Sequence, residues 1–284
     1  MRILVTGAGG QLGHDVVTHG IDRGDDVLAF DHTTLDVTSR DAVLGAITTL
    51  RPDAVVHCAA WTAVDACESD HDKALLANSL AVRWVAEGAR RVGAHLCHIS
   101  TDYVFSGDKA TPYHEWDETG PLSVYGASKL GGEIEALNGA PGATVVRTSW
   151  VCGEHGNNMV KTILRIAAAQ PELTFVSDQR GHPSFTEDLA VAIRRLVVDR
   201  RPGVYHVTNQ GAVSWYEFAQ AVLEASGADP QRVQPITTAE FQPPRPAKRP
   251  YNSVLDNAAL RLAGDTLLDD FHEPLARLVK KLTA

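Results

Sequence analysis

Tyr125-Gly-Ala-Ser-Lys129 places a phenol and an ammonium group four residues apart. On a helix, side chains at i and i+4 share one face. A phenol is a proton donor that ionises near pH ~10, and a nearby ammonium favours phenolate, so Lys129 is expected to lower the pKa of Tyr125 toward working pH. With 6 tyrosines in 284 residues, chance gives such a pair in roughly one chain in seven, so its neighbours must decide its meaning. Upstream lie Thr6-Gly7-Ala8-Gly9-Gly10-Gln11-Leu12-Gly13, after an apolar run that begins the chain, and Ser100-Thr101-Asp102-Tyr103, after a second apolar run.

Gly7, Gly10 and Gly13 stand where a strand turns into a helix. Glycines there permit a tight turn, close approach of backbone to a pyrophosphate, and close helix-to-strand packing, while the helix N-terminus supplies partial positive charge. A tight turn without a ligand is the plainer alternative. Asp31 ends the second candidate strand, where a carboxylate can accept hydrogen bonds from both adenosine ribose hydroxyls and repel a 2′-phosphate, which favours NADH. No arginine follows it immediately to recruit NADPH, although Arg40 and Arg51 are candidates to approach in three dimensions. A helix N-cap or turn aspartate fits the same position. Asp36 and Val37 follow on and are candidates for the adenine pocket.

Reduction of a ketone requires a hydride donor on one side and a proton donor on the other. Tyr125 is the candidate acid, and Lys129, a flexible stem with three donors, can also hold the nicotinamide ribose. Thr101 emerges at the C-terminal end of a strand, where ligands bind in open α/β sheets, and its hydroxyl can orient carbonyl and phenol together. Ser100 and Asp102 fit loop capping as well as substrate contact. Asn78 fits a water-holding relay or a buried amide packed on backbone. Trp150, at a strand end, fits core packing or an aromatic wall against a deoxysugar.

The elements that must position these groups are legible as alternation. Short apolar runs at 3–6, 27–30, 54–58, 95–99 and 143–147 read as strands, and the spacing predicts helices over 11–23, 40–50, 74–91 and 124–137. This pattern is α/β: a Rossmann-like, doubly wound parallel sheet over residues 1–150. Beyond 150 the alternation loosens into a helix over 159–169, a strand at 173–176, a turn at 178–183, and helices over 187–198 and 215–225. A strand at 203–207 is expected to rejoin the first sheet through about 186–208, which makes the smaller, mainly substrate-binding lobe of 151–284 discontinuous. The proline-rich run 243–250 reads as a loop.

Composition narrows the class. With 44% hydrophobic and 21% charged residues the chain reads as an ordinary globular protein, and a net charge of −9 argues against a nucleic-acid backbone binder. No apolar run approaches a membrane span and no secretory pattern opens the chain, so a cytoplasmic location is expected. The four cysteines, Cys58, Cys67, Cys97 and Cys152, lack metal or redox spacing and read as free thiols. Among 12 histidines, His95 and His98 point to opposite faces of a strand, which defeats joint coordination. His182, in the turn, is a candidate to reach a diphosphate.

Taken in order, these residues resemble the extended short-chain dehydrogenase/reductase family. The resemblance spans nearly the whole chain and rests on Thr6–Gly13, Cys58-Ala-Ala-Trp-Thr-Ala-Val-Asp65, Ser100-Thr-Asp-Tyr-Val-Phe105, Tyr125–Lys129, Arg147-Thr-Ser-Trp150 with Gly153, Asp178-Gln-Arg-Gly-His-Pro183 and Arg249-Pro-Tyr-Asn-Ser253. It implies that Thr101, Tyr125 and Lys129 are catalytic. By the same likeness Gly10, Gln11, Leu12, Asp31, Asp36, Val37, Ala60, Trp61 and Thr62 line the cofactor, NADPH or NADH, and Thr101, Asp102 and Trp150 touch a sugar nucleotide. The implied reaction is reduction of the C4 ketone of dTDP-4-dehydro-β-L-rhamnose to dTDP-β-L-rhamnose, a polysaccharide precursor, by a monomer or homodimer. Another nucleotide-deoxysugar 4-ketoreductase, an epimerase, or a non-catalytic regulatory subunit of a methionine adenosyltransferase are the alternatives. Cys58 and the pair Ser184-Phe185 depart mildly from the family pattern. Some relatives bind magnesium through acidic residues at a dimer interface; Asp15 and Glu187 lie near those places, too loosely to assign a metal.

Overall fold

The computed structural model describes residues 1–283. Six strands form one parallel sheet: β1 (Arg2–Thr6), β2 (Asp26–Phe30), β3 (Ala54–His57), β4 (His95–Thr101), β5 (Thr144–Thr148) and β6 (Gly203–His206), in the order β2-β1-β3-β4-β5-β6. The principal helices are α1 (Gln11–Asp22), α2 (Arg40–Leu50), α3 (Ala81–Val92), α4 (Val124–Gly139), α5 (Met159–Ala169), α6 (Thr186–Val198), α7 (Trp215–Ala225) and α8 (His272–Thr283).

The inner strands are buried along nearly their whole length and mainly apolar because both faces of the sheet are covered. Side chains alternate between those faces. Ile3, Val5, Val56 and Val146 pack against Leu12 and Val16 of α1 and Leu189, Ile193 and Leu196 of α6. Leu4, Val55, Leu96 and Val145 pack on the other side against Val43 and Ile47 of α2, Val82 and Val85 of α3, and Ala136 of α4. The expected return of the chain to the first sheet is visible as β6, paired in register with β5 from Gly203↔Thr144 to His206↔Arg147.

A separate core gathers Val160 and Ile163 of α5, Phe218 and Val222 of α7, Leu275 and Leu278 of α8, and Leu173, Phe185 and Val233. Two short parallel pairs, Leu173–Val176 with Val233–Ile236 and Val151–Cys152 with Ser184–Phe185, frame it. The segment expected as a turn at 178–183 instead contributes a two-residue strand, Arg180–Gly181, antiparallel to Val213–Ser214.

The pattern over 74–91 predicts one continuous helix, and the structure divides it. A short helix, His71–Leu75, passes into a π-helical turn, Leu76–Leu80, before α3 begins. The wider turn carries Asn78, whose amide bonds across to a different loop, so a tertiary requirement overrides local periodicity.

Candidate active site

Strand order reverses between β1 and β3, and the loops that leave these two strands open a crevice at the C-terminal edge of the sheet. Gly7 adopts φ 71°, and a Cβ built on it falls 2.6 Å from Ala59 N. A Cβ on Gly13 falls 2.1 Å from Gly7 O. Only glycine therefore allows the two loops and α1 to close this tightly. Gly10, the N-cap of α1, brings no side chain to its first turn, so backbone N–H groups there remain available to an anion. This uncapped glycine cradle fits a dinucleotide pyrophosphate.

The crevice widens into a cleft of about 410 Å³ lined by Gly7, Gly10, Gln11, Leu12, Gly13, Ala60, Thr62, Thr101, Asp102, Tyr125, Lys129 and Trp150. Four residues expected at the cofactor lie outside this lining. Asp31 sits beside the loop, its Cβ 3.3 Å from a Cβ built on Gly9. Its Oδ1 accepts from Thr33 N (2.9 Å) and Thr34 N (3.0 Å), and these bonds with the Thr33 hydroxyl lower its pKa to about 2, so it is ionised at neutral pH. Arg40 does not approach it, being paired with Glu87 at 2.8 Å. Asp36 accepts from Thr38 N and Oγ1, and Val37 packs against the sheet core. Trp61 turns away between Ala60 and Thr62: its N–H donates to Asn78 Oδ1 (2.8 Å), its carbonyl accepts from Asn78 Nδ2 (3.0 Å), and Lys73 Nζ lies 4.4 Å from its ring. Asn78, 1% exposed, thus clamps the loop backbone, the packing alternative of its two readings.

Tyr125 stands in the first turn of α4, which Ser123 caps by accepting from Gly126 N at 3.2 Å. Burial pushes its pKa up, opposed by a hydrogen bond with Thr101. The net direction is therefore opposite to the one expected from Lys129, because burial outweighs any downward pull. Lys129 Nζ instead donates to the Ile99 carbonyl at 2.6 Å and lies 3.4 Å from His98 Nε2. Burial lowers its own pKa to about 8, partly offset by Glu133. Thr101 Oγ1 donates to Asp102 Oδ1 at 3.0 Å, and Asp102, 2% exposed, has its pKa raised by burial to about 7. Ser100 is turned to structure, donating to Glu133 Oε1 at 2.5 Å.

Glu133 also accepts from Arg147 Nε (2.9 Å) and Nη2 (2.7 Å), and both partners are buried. This forked pair bolts α4 to β5 and so fixes the helix that carries Tyr125 and Lys129.

Several lining residues carry no clear local signal. Thr148, at the end of β5, has a buried hydroxyl without a protein partner. Trp215 stacks on Trp150 with ring centroids 3.5 Å apart and planes 9° from parallel, a contact across 65 positions that spacing does not reveal. Trp150 holds φ 44°, a left-handed backbone conformation, and its indole lines the cleft while packing against the second core beside Phe218. His182 is buried, with Nδ1 2.8 Å from the Asn209 carbonyl, and lies outside the cleft lining.

A second cavity of about 470 Å³ shares Tyr103 and Trp215 with the first and is lined by Phe175, Gln179, Thr238, Arg245, Lys248 and Arg249. The run 243–250 is indeed without regular structure, yet it supplies the cavity's cations. Arg249 Nη2 binds Asp65 Oδ2 at 2.7 Å, and Asp65 also accepts from Ala247 N at 3.1 Å, which ties this segment to the loop after β3. The Arg249 hydrogen bond is the chief influence holding Asp65 at a pKa of about 2. Of the acidic residues considered for magnesium, Glu187 is paired with Lys281 and Asp15 contacts His14. Among the described residues no helix is long and apolar enough to cross a membrane.

Comparison with known proteins agrees with this geometry. A probable dTDP-4,6-dihydroxy-2-methyloxan-3-one 4-ketoreductase of Streptomyces antibioticus is 45% identical over 97% of this chain and 93% of its own length. A dTDP-4-dehydrorhamnose reductase of Aggregatibacter actinomycetemcomitans is 39% identical over 98% of each chain. The crystal structure of dTDP-4-dehydrorhamnose reductase from Bacillus anthracis in complex with NADP superposes with a TM-score of 0.94, at 38% identity over 99% of each chain. The family model described as RmlD substrate binding domain matches residues 1–284. The chain therefore belongs to the RmlD substrate binding domain family, within the extended short-chain dehydrogenases/reductases.

Proposed function

We propose that this protein reduces the C4 ketone of dTDP-4-dehydro-β-L-rhamnose to dTDP-β-L-rhamnose, a cell-wall and surface-polysaccharide precursor, with NADPH or NADH. The observation that carries this reading is the convergence of the glycine cradle with Thr101, Tyr125 and Lys129 in one cleft. Bound there, the reduced nicotinamide supplies a hydride to the carbonyl carbon. Tyr125 delivers a proton to the C4 oxygen as alkoxide develops. Its burial keeps the phenol protonated until the alkoxide develops beside it. Thr101 then stabilises the phenolate through its hydroxyl, and Lys129 places positive charge one helical turn along.

The second cavity suits the nucleotide portion of the substrate. Arg245, Lys248 and Arg249 offer cations for a diphosphate, and Phe175 and Phe241 offer apolar surface for a base. The shared walls Tyr103 and Trp215 then leave the sugar against Trp150 and Asp102. The ionised Asp31 beside Gly9 favours NADH over NADPH. A strong preference for NADPH in parallel assays would contradict that assignment.

A second reading, reduction of another nucleotide-linked 4-keto-deoxysugar, is favoured by the 45% identity to the Streptomyces antibioticus ketoreductase. Offering dTDP-4-keto-6-deoxy-L-hexose with each cofactor and determining the product's C4 stereochemistry separates the two. Net oxidation of NAD(P)H distinguishes either from an epimerase, and turnover of any keto sugar excludes a purely regulatory subunit. Tyr125→Phe is expected to lower kcat by about 10²–10⁴-fold while the cofactor still binds. Activity near the parent's would remove Tyr125 from the role of acid.

A further inference from the structure

Beneath Lys129 lies a pair of buried histidines that the proposed chemistry leaves unused. His57, at the end of β3, and His98 of β4 sit side by side in register, and their rings stack with centroids 5.4 Å apart and planes 25° from parallel. Both are fully buried. His57 Nδ1 lies 2.7 Å from Thr6 Oγ1, while His98 Nε2 lies 3.4 Å from Lys129 Nζ. The His98 ring reaches α4 because residue 132 is glycine: a Cβ built there falls 3.0 Å from His98 Nε2. Burying imidazoles costs the desolvation of their ring nitrogens, which leucine or phenylalanine in the same space would avoid. Packing alone therefore does not account for the pair.

We propose that His98 is a positioning residue for Lys129: its neutral imidazole accepts one of the three ammonium N–H groups through Nε2, the Ile99 carbonyl accepts a second, and the third is left for the cleft. The groups that face the ammonium leave it few other acceptors. On α4, Glu133 is committed to Arg147 and Ser100, and the Tyr125 phenol bonds with Thr101. On the loop after β3, burial pushes the Cys58 thiol up to about 12 and so keeps it neutral. Burial, with the Lys129 charge adding to it, holds His57 and His98 well below the ordinary imidazole range, so both rings are neutral at working pH. A neutral ring accepts at one nitrogen only, so Lys129 selects the Nδ1–H tautomer of His98. Among the described residues His98 Nδ1 has no partner that would select the other. A contact of 3.4 Å is long, but with Lys129 only 3% exposed little water competes with it.

The bond has a direction. An acceptor stabilises the charged form of the lysine, so His98 opposes the burial that lowers its pKa. Two fixed donors also aim the third, on a side chain that would otherwise sweep freely. That the third donor meets the ribose and the phenolate rests on the function proposed above, whereas the bond from ammonium to imidazole is a property of the unliganded chain.

NMR of the ligand-free full-length protein, labelled with 13C at the lysine Cε, tests this, the Lys129 signal being assigned by its loss in Lys129→Arg. In the wild type Lys129 should titrate with a midpoint of about 8. His98→Leu and His98→Phe should each lower that midpoint by about one unit, a tenfold loss of proton affinity, and His98→Gln, whose side-chain carbonyl accepts, should restore most of it. In 15N spectra of the wild type, the histidine signal that disappears in any one folded His98 variant should show the Nδ1–H tautomer, a readout that needs only that variant. With cofactor and a 4-keto sugar, the alkaline limb of kcat should move in the same order as the midpoints. A midpoint unchanged in the Leu and Phe variants, an equal fall in the Gln variant, or an Nε2–H tautomer overturns the proposal. Midpoints that move as expected in a protein that oxidises no NAD(P)H would uphold the role of His98 and remove the proposed function instead.

Discussion

At the scale of the residue, the proposed catalytic group depends on how one hydroxyl spends its single proton. Thr101 donates it to Asp102 and so presents lone pairs to Tyr125. Were Tyr125 to give up its proton as proposed, the same hydroxyl could turn to the phenolate. Asp102 therefore has a double part, and its environment titrates it. Its pKa is raised by burial from the usual carboxylate range to about 7. A raised acid pKa contributes stability that is fully present below the unfolded value and lost as pH rises through the folded one. The Asp102→Asn variant, neutral throughout, should gain stability relative to the wild type as pH climbs from about 4 to 7, by on the order of 2–4 kcal/mol, and hold that gain above pH ~7. Urea denaturation of both proteins at several pH values checks this; a difference that is flat across the range would refute it.

At the scale of the element, α4 is held by charge and the Trp150 segment by shape. Removing Glu133 leaves Arg147 buried at 4% exposure without its forked partner. Glu133→Ala should cost about 3–5 kcal/mol of stability and lower kcat, because Tyr125 and Lys129 ride on the loosened helix. Thermal denaturation and steady-state kinetics on one preparation check both effects. At Gly181 a Cβ falls 2.7 Å from Trp150 Cε2, and Trp215 behind the indole prevents retreat. Gly181→Ala should raise the sugar-nucleotide KM about tenfold and leave cofactor affinity, measured by fluorescence titration, unchanged.

The elements also mark where sequence reasoning succeeds and where it stops. β1, β3, β4 and β5 are legible because burial on both faces demands mainly apolar runs, and Gly7 and Gly13 because their neighbours exclude any side chain. The π turn at Asn78 is hidden because its cause lies in the Trp61 backbone. Lys129 is placed correctly one turn from Tyr125, yet its bond to the Ile99 carbonyl depends on how α4 sits over β4. The proline-rich run is read rightly as irregular, but irregular backbone conceals that Arg249 is pinned to Asp65 across 184 positions.

At the scale of the whole molecule, the chain leaves the first core after β5, returns for α6 and β6, leaves for α7, and returns once more. Asn257 Oδ1 accepts from Thr208 N at 3.0 Å, its Nδ2 donates to Thr208 Oγ1 at 2.9 Å, and Leu260 is buried in the sheet's core. Glu115 Oε1 accepts from both His206 N (3.0 Å) and Ala259 N (3.1 Å). The region of the parallel sheet is consequently completed by residues near the C-terminus. A chain ending at residue 250 should lose the single cooperative unfolding transition of the full protein in calorimetry, since it deprives both cores of partners. A sharp transition in the shortened chain would show instead that the sheet is self-sufficient.

The near-parallel stack of Trp150 on Trp215 has an optical consequence. Two of the chain's 5 tryptophans sit in van der Waals contact, Trp215 at the wall shared by both cavities and Trp150 on the cleft side of it. Indoles held so close couple their excited states, and they absorb where a protein is readily excited while emitting where a reduced nicotinamide absorbs. Were cofactor and sugar to bind as proposed, energy transfer to the dihydropyridine would register the first and a change in the coupled dichroism the second, with no turnover required.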